Sequence, residues 1–140
     1  MILKLDFSSE TPIYLQIRNE IVLGAADGRL KPGEKLPTIR ALADEAGVNT
    51  MTVNKAYALL KSEGVIVADR RSGARVCERE AAEYGTGTGT ERYTKATLKD
   101  RSVQALKLVV AEAKLAGMSK TDFFALCEAL FDDNIKRQEE

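Results

Sequence analysis

Apolar residues first fall into a helical period at Ile13, Ile17, Ile21 and Ala25, four apart. That spacing lines one face of a helix ending near Gly28, with Thr11 as its cap and Pro12 in the first helical position. Residues 30–37 hold Pro32, Gly33 and Pro37 and read as a connector. Thr38 caps a second helix from Ile39 to about Ala46, with Ile39, Leu42 and Ala43 inward. Gly47 then permits a tight turn, and Val48 plugs the corner. A third helix, capped by Asn49 or Thr50, runs to about Glu63 and turns Val53, Ala56, Tyr57 and Leu60 inward. Gly64 ends it. The runs Val65-Ile66-Val67 and Ala74-Arg75-Val76 read as two short strands around a turn holding Arg70, Arg71, Ser72 and Gly73.

The pattern changes after residue 81. Residues 82–91 alternate glycine with threonine and keep no apolar period, so they read as a flexible linker. Lacking the Lys-Ser/Thr of a phosphate loop, they are not read as one. Beyond them, Val103, Leu106, Val110, Ala113 and Gly117 recur as a heptad-like seam on a helix from about Lys95 to Ala116. Ser119 to Asp122 open a further helix as a near capping box, and Phe123, Phe124, Cys127, Leu130 and Phe131 form its broad apolar face. A two-helix hairpin of this size buries too little surface to stand alone. Packing on its own chain and pairing with a second copy are the two ways to cover it. The glycine-rich linker favours the second, a four-helix arrangement from two chains.

The expected fold class is therefore mainly α with a small β-hairpin. Residues 1–81 form a winged helix-turn-helix, 82–91 a linker and 92–140 a helical dimerisation module. The third helix keeps a polar outer face of Thr50, Met51, Asn54, Lys55 and Lys61, with the width and donors to read base edges in a major groove. Arg70 and Arg71 at the hairpin tip are placed for phosphates or a minor groove.

Charge supports this only locally. The net charge is zero, but residues 29–75 hold nine basic and five acidic side chains, so a basic face for a polyanion exists there. Exclusions are sharper. The chain has no histidine, which removes His-based nucleophilic triads and His-ligated zinc. Its carboxylates form no convergent pair, so an enzyme is not expected, nor a metal or cofactor. Cys77 and Cys127 stand 50 positions apart and are read as inert thiols, which fits a reducing cytoplasm. No apolar run approaches a membrane span, and the opening residues lack the apolar stretch of a secretory signal.

Several spaced motifs carry a resemblance. They are Pro12 to Ile17, Leu36 to Ala43, Gly47 to Val53, Ala56 to Leu60, Glu63-Gly64 and Ser72 to Val76. In this order they resemble the GntR family of bacterial transcription regulators over residues 11–77, and the short helical tail is similar to the YtrA-type subfamily. The resemblance implies a repressor, often of transporter operons. It implies that Arg40 in the second helix contacts DNA and that Thr38 caps beside a phosphate. It places Asn49, Thr50, Thr52 and Asn54 at contact positions of the recognition helix, and Ser72 and Gly73 at the wing tip. Many members carry arginine where Thr50 stands and a basic residue where Asn54 stands, so guanine readout there is replaced by an Asn54-to-adenine reading. Met51 either touches a thymine methyl or covers a neighbour.

Blander readings stand beside these. Arg40 could pair with Asp44 at i+4, Asn49 could be only a cap, and Lys55 and Lys61 could be merely solvated. The expected function is a homodimeric, sequence-specific repressor on a palindromic DNA operator, with no effector pocket marked. Its alternatives are a nonspecific or architectural DNA-binding protein and a winged-helix module that binds protein only.

Overall fold

The structure, a computed structural model, describes residues 3–71, 73–78 and 100–136. The chain divides into two compact units, Met1–Glu80 and Ala81–Glu140. Among the described residues no helix is long and apolar enough to cross a membrane.

The first unit holds α1 (Ile13–Ala26), α2 (Ile39–Ala46), α3 (Thr50–Ser62), β1 (Ile66–Asp69) and β2 (Gly73–Val76). The start of α1 differs from the sequence reading. Pro12 is the N-cap itself, with extended ψ and no side-chain cap, and the Thr11 hydroxyl caps nothing. Proline has no N–H to satisfy, while its carbonyl accepts from Leu15 and Gln16, so the helix begins one residue later without a hydroxyl. Gln16 closes the preceding loop instead. Its carboxamide accepts from the Asp6 N–H and donates to the Asp6 and Thr11 carbonyls. This docking brings Leu3 and Leu5 onto the core, two residues the periodicity did not mark.

Along α1 the buried line runs through Ile17, Ile21 and Gly24, with Ile13 and Ala25 half-buried at its edge. Gly24 is small because Leu30 packs onto it; a Cβ there would lie 3.1 Å from the leucine side chain. Helix α2 starts as its sequence demands, with the Thr38 hydroxyl accepting from the Ala41 N–H at 3.1 Å. It ends at Gly47, whose φ of 69° is a left-handed conformation that the turn into α3 requires. Asn49 then caps α3, its side-chain oxygen accepting from the Met51 N–H at 2.8 Å. Val53, Ala56, Tyr57 and Leu60 are all buried on α3, the four positions the period selects.

Strands β1 and β2 pair antiparallel, with Ile66 opposite Val76 and Asp69 opposite Gly73. The connector adds a third edge. Gly33 donates to the Val76 carbonyl, Val76 to the Glu34 carbonyl and Leu36 to the Ala74 carbonyl, each at 2.9 Å. Two prolines and a glycine hid this pairing from the sequence, because a single bridge leaves no alternating run. Its effect is to anchor the wing to the residues just before α2.

One apolar cluster joins these elements, centred on Ile17, Ile21, Leu42, Val53, Leu60 and Ile66. Two buried carboxylates are paired at its margin. Glu63 accepts from the Arg18 guanidinium at 2.6 and 3.0 Å, which ties the end of α3 to α1. Asp27 accepts from the backbone N–H and the side chain of Arg29.

The second unit holds α4 (Asp100–Leu115) and α5 (Lys120–Lys136), joined by a turn through Gly117 at φ 81°. Residues 95–99, where the sequence reading begins the first of these helices, lie outside the described residues, as do the linker positions 82–91. Ser119 caps α5 by accepting from the Asp122 N–H at 3.1 Å. No described side chain of α4 or α5 is fully buried.

Candidate nucleic-acid interface

The start of α2, one side of α3 and the wing enclose a cleft of about 610 Å³. Thr38, Arg40, Asn54 and Gly73, four of the expected contact residues, line it together. Arg40 and Asn54 are exposed, and among the described residues Arg40 forms no ion pair with Asp44. Lys61, expected on the outer face of the third helix, lines it too, and Lys35 adds a cation that the sequence reading left off the contact surface, with Asp69 as the one carboxylate among the described lining residues. Lys35 was hidden in the Pro/Gly connector; it is the residue whose backbone bridges Arg75 and so stands beside the wing. Cations around the first turn of a helix, whose leading N–H groups have no intrahelical acceptor, suit an anion such as a backbone phosphate.

Tyr57 holds this cleft in shape. Its hydroxyl donates to the Pro37 carbonyl at 2.8 Å, which pins the residue before the Thr38 cap to α3. Burial pushes the phenol up from its usual 10.0 to about 12. The phenol is neutral when protonated, so its contribution to folding is complete below pH 10 and is lost as pH rises toward 12. Alkaline titration of thermal stability is expected to fall across that window, and Tyr57→Phe is expected to flatten the fall while costing about 1 kcal/mol at neutral pH through the lost hydrogen bond. An unchanged alkaline limb in the variant would refute this assignment.

The remaining expected residues are sorted by the geometry. The Asn49 side-chain oxygen is engaged as the cap of α3. Lys55 is drawn sideways, its ammonium 4.1 Å from the centre of the Tyr14 ring on α1. Thr50 and Met51 are exposed on the first turn of α3 and Thr52 is half-buried. Arg70 and Arg71 are exposed at the hairpin tip, where the Asp69 carboxylate accepts the Arg71 N–H at 2.8 Å and shapes the turn. Ser72 lies outside the described residues.

The residues expected to join two copies stand on α4 and α5. Val110, Ala113, Phe123 and Cys127 are half-buried. Val103, Leu106, Phe124, Leu130 and Phe131 are exposed, Phe131 by 77%. A heptad seam marks one face only, and it missed further exposed apolar residues at Leu108, Val109, Leu115 and Leu126.

A three-helix unit with a hairpin wing, a capped second helix and a basic cleft between them defines a winged helix-turn-helix DNA-binding protein. Comparison with known proteins agrees. The model of the bacterial regulatory proteins of the gntR family matches residues 10–76. The transcriptional repressor YtrA of Bacillus subtilis is 34% identical over 116 residues, spanning 83% of this chain and 82% of that protein. The structure of YtrA from Sulfolobus acidocaldarius, a GntR-family transcription factor, is 38% identical and covers 81% of this chain and 99% of that one, with a TM-score of 0.57. The DNA-binding domain of AraR in complex with operator ORX1 is 28% identical over 55% of this chain and 99% of that one, with a TM-score of 0.50. This chain belongs to the GntR family of helix-turn-helix transcriptional regulators and is similar to its YtrA members.

Proposed function

We propose that this regulator is a homodimeric repressor that occupies a palindromic operator. The observation that carries the reading is the single cleft in which the start of α2, α3 and the wing bring Lys35, Arg40 and Lys61 together with the Asn54 carboxamide. Cations position the duplex through its phosphates, and the exposed side chains of α3 read base edges in the major groove. The uncovered apolar faces of α4 and α5 support pairing through residues 100–136, beyond a linker at 82–91. Two units related by a dyad place their α3 helices about 34 Å apart, or a multiple of it, which matches half-sites of a palindrome. Occupancy of such a site blocks transcription sterically. The repressor name of the Bacillus relative supports the sign of the effect, and the operator bound to AraR supports the partner. Control of a transporter operon rests on the resemblance to YtrA alone.

Selection of binding sites by the purified protein from a random duplex pool, at near-physiological salt, tests this. A palindromic motif is expected, and Arg40→Ala is expected to bind it about 5- to 150-fold more weakly. Salt-sensitive binding without a motif would replace the proposal with an architectural role. No binding by either protein would replace it with a protein-only partner.

A further inference from the structure

The line of α3 furthest from the core runs through Met51, Lys55, Ala58 and Ser62, and Met51 is its large apolar side chain. Met51 and Ala58 lie opposite the buried Val53, Ala56, Tyr57 and Leu60, and both are exposed, Met51 by 76%. Asn54 flanks that line. Helix α3 carries no arginine, glutamine, aspartate or glutamate at all. Lys55 is held over the Tyr14 ring, and the Asn49 side-chain oxygen is taken by its cap bond. Lys61 stands in the last turn of α3 among the cations of the cleft. In the first two turns of α3 the carboxamide of Asn54 is the side-chain amide left unengaged among the described residues.

These groups match one kind of base pair. Guanine offers two acceptors in the major groove and is read by a long cation with paired donors. Adenine offers one acceptor and one donor, which a carboxamide meets with its own donor and acceptor. Thymine offers a methyl group, which an apolar group such as an alanine, threonine or methionine methyl covers. Met51 and Asn54 are three residues apart and so are neighbours on the helix surface.

We infer that α3 is a reader of A·T pairs. The Asn54 carboxamide pairs with adenine, Met51 covers the 5-methyl of a neighbouring thymine, and any guanine in the half-site is left to Arg40 on α2. This rests on the sequence-specific reading proposed above. It also accounts for a long apolar side chain kept in water at the crown of a DNA-facing helix, where covering it by a thymine methyl removes both groups from solvent.

The test starts from the selected operator, with each thymine of one half-site replaced in turn by deoxyuridine, which lacks the methyl and keeps every hydrogen-bonding group. The wild-type protein is expected to lose about fourfold in affinity at one such position, the loss of one buried methyl. Met51→Ala is expected to bind the thymine and deoxyuridine duplexes equally. Asn54→Ala is expected to relax an adenine preference of roughly 5- to 150-fold at the adjoining position. Both side chains are exposed, so the variants keep the fold. If the two variants relax preferences for G·C pairs, or relax none, or if the wild type binds every deoxyuridine duplex as tightly as thymine, the inference is overturned and sequence-specific regulation stands. If no motif is selected, both fall.

Discussion

Replacing Leu106 and Phe123 together by aspartate is expected to leave a monomer that has lost most of its operator affinity. Leu106 is exposed on α4 and Phe123 half-buried on α5, and neither belongs to the apolar cluster of the first unit's buried residues. Each aspartate puts a charge on a face that only another apolar face can cover, and burying a carboxylate without a partner costs several kcal/mol. The double variant therefore shifts the association equilibrium while the apolar cluster around Leu60 stays intact. The loss on DNA is then a loss of linkage. In the proposed dimer, two recognition helices joined through α4 and α5 would bind as one body, with the second contact forming at a high effective concentration. Severing the link is expected to weaken operator binding by about 10²- to 10⁴-fold. Sedimentation equilibrium reads the first effect and fluorescence anisotropy on the selected operator the second. A variant that remains dimeric would move the interface elsewhere. A monomer that binds as tightly as the wild type would remove dimerisation from the mechanism.

Leu60→Ala is expected to be the most damaging single change to folding. Leu60 is 0% exposed and sits on α3, in the cluster that α1, α2 and β1 also enter. Truncating it removes buried methyl groups and leaves a cavity that a packed interior closes only in part. The cost is about 2–5 kcal/mol. For a domain of this size the midpoint of thermal unfolding falls by more than about 10 °C. Met51→Ala, nine positions earlier on the same helix, is the control. Its side chain stands in solvent, so it is expected to change stability by no more than about 0.5 kcal/mol while altering base preference. Circular dichroism of both variants separates the two outcomes. Similar melting of Leu60→Ala and wild type would contradict the placement of this core.

Much of the site's scaffold could be read before the fold was known, because its signals are local. The Thr38 and Asn49 caps depend on a side-chain oxygen reaching an N–H two or three residues on, and both form as read. Gly47 depends on the freedom of one residue to take positive φ. The expectation that Arg40 contacts DNA came from a motif rather than from spacing, and among the described residues its side chain forms no ion pair with Asp44. Where the reading failed, partners were distant in sequence. The proline at the start of α1 looked like a first helical residue, but the loop before it is closed by Gln16, which reaches back ten residues to Asp6. Lys35 enters the cleft because its segment pairs with a strand some forty residues later.

The sequence by itself determined the helical periods, the caps at Thr38, Asn49 and Ser119, the tight turn before α3 and the hairpin, since each follows from the reach and conformational freedom of residues within one or two turns. It also marked broad apolar faces on α4 and α5. Only the tertiary structure decided which cations share a cleft, that Tyr57 tethers Pro37, and that Lys55 lies over Tyr14 while Asn54 stays unengaged among the described residues. Those outcomes depend on how α1, α2, α3 and the wing close on one core. That closure is set by packing between elements remote in the chain, and no periodicity along one element encodes it.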